Sequence, residues 1–229
     1  AWRPFKNPVR PVNQFRKYAR YIVLSILFGM LIISFGLWGV GDMLKAAGRS
    51  TEVAHVGGTK IPLYGWVGGA PVYATEVREQ FEAAAGLPDI PPFDEAEVTS
   101  RNVERLTRHL VLEAAAVEKG LVITPAQVDE IIASSVDGQF GGDRSKLELA
   151  FATQEFVPAV AVDEFARDFL IQQALPARVL PGGTEEAQGQ AASEYLAELS
   201  NELDVRVAPR FGTWDSSLVG LGPVPDDLS

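Results

Sequence analysis

Cysteine is absent from this chain of 229 residues, and histidine is limited to two positions. The absence of cysteine excludes disulfides, thiolate metal sites and cysteine nucleophiles. His55 and His109 have no further histidine near them in the sequence, so we interpret both as structural or surface residues and predict no metal site. No Walker A, dinucleotide-binding, G-x-S-x-G or H-E-x-x-H motif is present. We therefore expect no catalytic residue and no cofactor.

Acidic residues are missing from the first 41 positions, which contain six basic ones. All 30 acidic residues lie from Asp42 onward, against 14 basic residues, which is a formal net charge of −16 for this larger part. Such an acidic surface repels the phosphates of nucleic acids and of anionic lipid headgroups. The charge distribution therefore disfavours nucleic acid as a partner of the larger part.

A run of nineteen residues without a charge, Ile22–Val40, follows the basic segment. Twelve of them are Leu, Ile, Val or Phe. As a helix the run is roughly 28 Å long, which is about the hydrocarbon thickness of a lipid bilayer. We predict a transmembrane helix over 21–41. The positive-inside rule then places the basic tail, 1–20, in the cytoplasm and the larger part outside it. A cleavable signal peptide is the alternative, but its apolar region is usually only about 7–15 residues long.

Two groups of residues in the N-terminal part are candidates for contacts with other proteins. Within the predicted span, the small residues Ser25, Gly29 and Gly36 share a helix face and would let a second helix approach closely. Before the span, Trp2 and Phe5 could anchor the proline-rich segment on a partner, because such a segment is ordered only when something holds it.

Beyond a short linker, 42–51, the patterns predict a mostly α-helical domain over 52–215 and an irregular tail over 216–229. Helical periodicity and capping signals predict helices at about 73–85, 95–119, 125–136, 145–151, 158–178 and 184–203. The helix at 95–119 is expected to bury a stripe of apolar side chains that ends in Ala114 and Val117. A hairpin around Gly57 and Gly58 and a strand in VRVAP lie at opposite ends of the domain. We expect these ends to pair in a small β element of two or three strands.

Two stretches resemble known families. SFGLWGVGDM, from Ser34 to Met43, resembles the membrane anchor of PpiD-type periplasmic folding factors. The order that follows, from VAHVGGTKI through the TRHLVLEAAAVEKGLVITPAQVDEII helices and FARDFLIQQAL to DVRVAPRFGTWD, resembles the N-terminal chaperone region of SurA-type proteins. The resemblance implies a chaperone body in the periplasm, attached to the bacterial inner membrane.

The chain also departs from that resemblance. PpiD-type and SurA proteins carry one or more parvulin prolyl-isomerase modules of on the order of a hundred residues. Only 54 residues follow Leu175, and they are predicted to form one helix, one strand and a tail. The WVGGAPV segment after the hairpin is also an apparent addition relative to the SurA-type pattern. We therefore expect a chaperone-like body without isomerase activity.

A helical body binds unfolded polypeptide only through apolar surface that its own core does not use. The candidates for such a surface are aromatic residues in or near loops, together with two on a helix face: Trp66, Phe140, Phe156, Phe165 and Phe169. The two helical phenylalanines could equally be ordinary core residues.

Two functions fit these features. The first is a membrane-anchored, extracytoplasmic chaperone-like protein that binds unfolded or assembling proteins without ATP. The second is a structural accessory subunit of a larger membrane complex that uses the same fold as a scaffold. The lipid bilayer is a partner in both.

Overall fold

The computed structural model describes residues 52–63, 69–84 and 92–222. The chain divides into two compact units, Ala1–Ser50 and Thr51–Ser229, and every described residue belongs to the second. Several predictions fall on residues outside the described ones. They are the membrane span, its small residues Ser25, Gly29 and Gly36, the anchors Trp2 and Phe5, and the binding candidate Trp66. Within the described part, no helix is long and apolar enough to cross a membrane.

The described part is mostly helical, as the sequence predicts. Its helices are α1 (Ala70–Ala83), α2 (Glu95–Glu118), α3 (Pro125–Gln139), α4 (Arg144–Gln154), α5 (Val162–Val179) and α6 (Glu185–Glu202). Short 3₁₀ turns at Ala159–Ala161 and Pro209–Phe211 connect elements. Its strands are β1 (Glu52–Val56), β2 (Thr59–Pro62), β3 (Arg206–Val207), β4 (Trp214–Asp215) and β5 (Gly220–Leu221).

Most helix starts lie where the capping signals predict them. Thr124 and Gln127 form a reciprocal capping box at the start of α3, and Asp94 and Thr184 accept backbone hydrogen bonds at the starts of α2 and α6. The predicted start of α4 at Ser145 is wrong. Asp143 caps this helix instead, by accepting a hydrogen bond from the backbone N–H of Ser145.

The predicted pairing of the two ends of the domain is confirmed. Strands β2, β1 and β3 form an antiparallel sheet in that order. His55 lies opposite Lys60 in β2 and opposite Arg206 in β3. The backbone N–H of Ala208 donates to the carbonyl of Val53 at 2.8 Å, which extends the contact beyond the strand. The sheet therefore joins residues about 150 positions apart in the chain.

The segment after 215 differs from the irregular tail that the sequence predicts. Strands β4 and β5 pair in a second, two-stranded sheet, and Val219 between them is buried against Val56 and Val111. Trp214 Nε1–H donates to Ser200 Oγ at 2.7 Å and attaches this hairpin to α6. Regular structure therefore continues beyond residue 215 as far as Leu221, and 223–229 lie outside the described residues.

Helix α2 is the central element of the described part. The described part contains five clusters of buried apolar residues, and each cluster includes at least one residue of α2. These α2 residues are Val98, Val103, Leu106, Val111, Leu112, Ala115 and Ala116. The predicted stripe is therefore too narrow, since α2 is covered on several sides. It is also wrong at its end, because Val117 is 79% exposed.

Candidate functional site

An apolar cleft of about 460 Å³ opens between α3, α4 and α5. Its walls contain no charged side chain and carry four phenylalanines. The lining residues are Ile131, Ile132, Ser134, Ser135, Gly138, Gln139, Phe140, Leu147, Phe151, Phe165, Ala166 and Phe169. A volume of this order accommodates a few amino-acid side chains rather than a whole folded partner.

Three of the five aromatic residues that the sequence selects converge on this cleft: Phe140, Phe165 and Phe169. Phe140 caps the C-terminal end of α3, and Phe165 and Phe169 lie one turn apart on α5. The Phe165 ring lies 5.1 Å from the Phe151 ring of α4, between centroids, in a tilted arrangement that is favourable for aromatic pairs. Phe169 is 43% exposed, so a large part of this side chain remains available for contact.

The periodicity of α5 explains why two rings are left at the cleft. Val162, Ala166 and Ile171 are buried in the cluster that α5 shares with α3 and α4. Phe165 and Phe169 lie beside this buried stripe, where the neighbouring helices cover them only partly. The same helix thus holds the core and presents apolar surface next to it.

Phe156 is in a different place from the other candidates. Its ring stacks 6.4 Å from Phe81, between centroids, in a cluster that also contains Phe93 and does not include the cleft. Its backbone has a φ of +54°, and Asn102 Nδ2–H donates to its carbonyl at 3.1 Å. The structure therefore gives Phe156 a packing partner on α1.

On the side of α5 that faces α2, charged groups form three pairs. Arg105 donates to Glu164 at 3.1 Å, and His109 Nδ1 lies 2.7 Å from Asp168 Oδ1. Arg167 donates to both carboxylate oxygens of Glu113. The pair of His109 and Asp168 is the most shielded, with side-chain exposures of 19% and 9%, and removal of either member would leave the other partly buried without its partner. The row of pairs connects α5 to α2 close to Phe165 and Phe169 in the sequence of α5.

Two opposing effects act on the pKa of His109. Burial lowers it, while the hydrogen bond and the charge of Asp168, with further contributions from Glu164 and Glu113, raise it. The net result is a raised pKa. The imidazolium form is therefore favoured in the folded protein relative to the unfolded chain.

His109, Glu113 and Asp168 also have donor atoms within 4.8 Å of one another, a spacing that could hold a metal ion. However, the guanidinium of Arg167 is bound to both oxygens of Glu113, and Asp168 is bound to His109. A metal ion would have to displace a positive charge from the same carboxylate. The contacts that are present therefore indicate a structural ion-pair network.

Phe151 and the polar wall of α3 are parts of the cleft that the sequence patterns did not predict. Phe151 has a local signal, because Leu147 and Phe151 lie four residues apart on one face of α4 and both line the cleft. Ser134 and Ser135 have no such signal. They line the cleft only because α3 packs beside α4 and α5.

Comparison with known proteins identifies one family. The model of the SurA-like N-terminal domain matches residues 12–175 of this chain. The match ends within α5, so α6 and the strands that follow lie beyond it. No curated protein and no solved structure gives a significant match.

Proposed function

The chain belongs to the SurA-like N-terminal domain family, and on that basis we propose that it is a chaperone-like protein that binds unfolded or assembling proteins through the α3–α4–α5 cleft. The observation that supports this most directly is the convergence of Phe140, Phe165 and Phe169 on uncharged, solvent-accessible surface. Exposed apolar surface of this kind is typical of a site for apolar side chains.

The size of the cleft favours weak, reversible binding without ATP. Full burial of one large apolar side chain contributes roughly 1.5–3 kcal/mol, and the rings of the cleft are already partly covered. Association costs about 4–15 kcal/mol in lost freedom of motion. A few such contacts contribute roughly 4–9 kcal/mol at most, which is comparable with the lower part of that cost, so a bound segment dissociates readily. A client that folds buries its apolar residues and therefore no longer binds to the cleft.

We further propose that the chain acts at the periplasmic face of the bacterial inner membrane, attached by the predicted helix over 21–41 and without prolyl-isomerase activity. The support is the charge-free run, the basic residues on its N-terminal side and the net negative charge of the residues from Asp42 onward. A membrane tether raises the local concentration of the cleft near emerging polypeptides, so that weak affinity is sufficient.

The experiment uses the full chain in lipid nanodiscs and a thermally unfolded reporter enzyme. The wild-type chain should suppress aggregation of the reporter at near-stoichiometric ratio. Phe165→Ala combined with Phe169→Ala should reduce suppression, whereas Val117→Ala, an exposed apolar residue outside the cleft, should not. A wild-type chain that neither suppresses aggregation nor binds unfolded polypeptide rejects the proposal.

A structural accessory subunit of a larger membrane complex is the second candidate function. Val117 and Val122, near the C-terminal end of α2, are 79% and 77% exposed and lie outside the cleft. Exposed apolar side chains such as these are candidate contacts for a permanent partner. If this function is right, the chain copurifies in a stoichiometric complex in mild detergent, and Val117→Asp with Val122→Asp releases it. Purification of a single, unaccompanied chain counts against it.

A further inference from the structure

The wall of the cleft that α3 contributes ends in an acidic edge. Glu130, Ser134 and Asp137 follow one another at i, i+4 and i+7, which places them on the same side of the helix. Ser134 lines the cleft, and Ile131 and Gly138, which come directly after the two acidic residues, also line it. Glu130 and Asp137 are exposed and do not themselves line the cleft, but they share the side of α3 on which Ser134 does, which places them next to its solvent edge.

The two carboxylates are exposed and have no cationic partner among the residues that the structure describes. Helix α3 contains no lysine or arginine. The nearest basic residues along the chain are already paired. Before Glu130, Lys119 lies 3.3 Å from Glu118. After Asp137, Arg144 contacts Glu148 and Asp163, and Lys146 lies 3.9 Å from Asp143.

The stability of α3 does not explain the acidic edge. Asp137 lies in the last turn of the helix, where the helix dipole disfavours a negative charge. Glu130 has no basic residue three or four positions away on either side that could form a helical ion pair. Both carboxylates are therefore free to attract a cation from outside the domain.

We propose that the cleft prefers segments of unfolded polypeptide whose apolar side chains are flanked by lysine or arginine. The apolar side chains occupy the space around Phe165 and Phe169, and the flanking cation lies against Glu130 and Asp137. This inference depends on the proposed function, because it specifies which clients the cleft selects. The overall acidity of the domain favours the same clients at long range, and the edge on α3 supplies the contact at the cleft itself.

The test measures binding of three fluorescent peptides to the full chain in nanodiscs of zwitterionic lipid. The peptides share one core of leucine and phenylalanine and are flanked by lysine, glutamine or glutamate. The lysine-flanked peptide should bind about 2- to 30-fold more tightly than the glutamine-flanked one at low ionic strength, the range for two exposed ion pairs. The glutamate-flanked peptide should bind most weakly, and added salt should reduce both differences.

Variants distinguish the acidic edge from the general charge of the domain. Glu130→Gln with Asp137→Asn should abolish most of the preference for lysine flanks. The control pair, Glu194→Gln with Glu198→Gln, removes the same charge from exposed positions on α6, which does not line the cleft, and should leave the preference intact. Charge reversal, Glu130→Lys with Asp137→Lys, should transfer the preference to the glutamate-flanked peptide.

The outcomes separate this inference from the function on which it depends. If all three peptides bind equally, and Phe169→Ala weakens all of them, the acidic edge has no role and the cleft remains the binding site. A lysine preference that the edge variant and the α6 control reduce equally also overturns the inference. If no peptide binds, and Phe169→Ala does not change the suppression of reporter aggregation, the proposed function itself is rejected.

Discussion

His109 Nδ1 lies 2.7 Å from Asp168 Oδ1 across the interface between α2 and α5. Asp168 is 6% exposed, so this contact is largely shielded from water. The next residue in the chain is Phe169, whose ring lines the cleft. Helix α5 therefore presents a carboxylate to α2 and a ring to the cleft from consecutive positions.

The His109–Asp168 contact makes the stability of the domain dependent on pH. The pKa of His109 is raised in the folded state, so its contribution to stability is complete below the ordinary value of 6.5. The contribution is lost as the pH rises from 6.5 through the raised pKa. The free energy of unfolding of Thr51–Ser229, a compact unit of its own, should therefore decrease over this window. Urea titrations at successive pH values measure it.

The pH experiment has a matched control. His55→Gln is introduced into the wild-type protein and into the His109→Gln variant, so that His109 is the remaining histidine of the first. His109→Gln in this background should flatten the dependence above pH 6.5. A dependence of the same size in both proteins contradicts the assignment to His109.

Phe169→Ala should separate binding from stability. Phe169 is 43% exposed, and we expect the substitution to change the free energy of unfolding by less than about 1 kcal/mol, as is usual for exposed positions. Binding of unfolded polypeptide should weaken because the ring is part of the cleft. By contrast, Leu112→Ala in the core should cost about 2–5 kcal/mol, since Leu112 is fully buried. Urea unfolding and fluorescence anisotropy measure the two effects, and a loss of several kcal/mol at Phe169 would show a core role.

Thr124→Ala should lower the free energy of unfolding by about 1 kcal/mol. The Thr124 side chain accepts a hydrogen bond from the backbone N–H of Gln127, and the Gln127 side chain accepts one from the backbone N–H of Thr124. Alanine removes the first of these bonds at the start of α3. Thr124→Ser keeps the hydroxyl and should retain most of the stability in the same urea titration. If both variants lose the same amount of free energy of unfolding, the loss of the hydroxyl is not the cause of the destabilisation.

Gly57→Ala should destabilise the sheet that joins the ends of the domain. Gly57 has a φ of +57°, a conformation that costs other residues roughly 1–2 kcal/mol. A Cβ at this position would also lie 3.3 Å from Leu203 Cδ2. Gly58 is the matched control, because a Cβ there meets nothing within 4 Å and its φ is not positive. Equal unfolding midpoints for Gly57→Ala and Gly58→Ala would contradict this account.

Much of the fold could be predicted because its signals are local. The capping box of Thr124 and Gln127 needs only residues three apart, and Gly120 has the positive φ that the end of α2 requires. Local signals also compete. Ser145 and Asp143 are both good capping residues, and in the structure Asp143 is the one that accepts a backbone hydrogen bond.

By itself, the sequence determined that the described part is mostly helical, where most of its helices begin, and that strands lie at both ends of the domain. These properties follow from backbone sterics and from hydrogen bonds between residues a few positions apart. Burial and the cleft depended on the tertiary structure, because they arise between segments distant in the chain. Val117 is exposed and Val219 is buried through their neighbours in space, and Phe140, Phe151 and Phe165 share a cleft only when α3, α4 and α5 pack together.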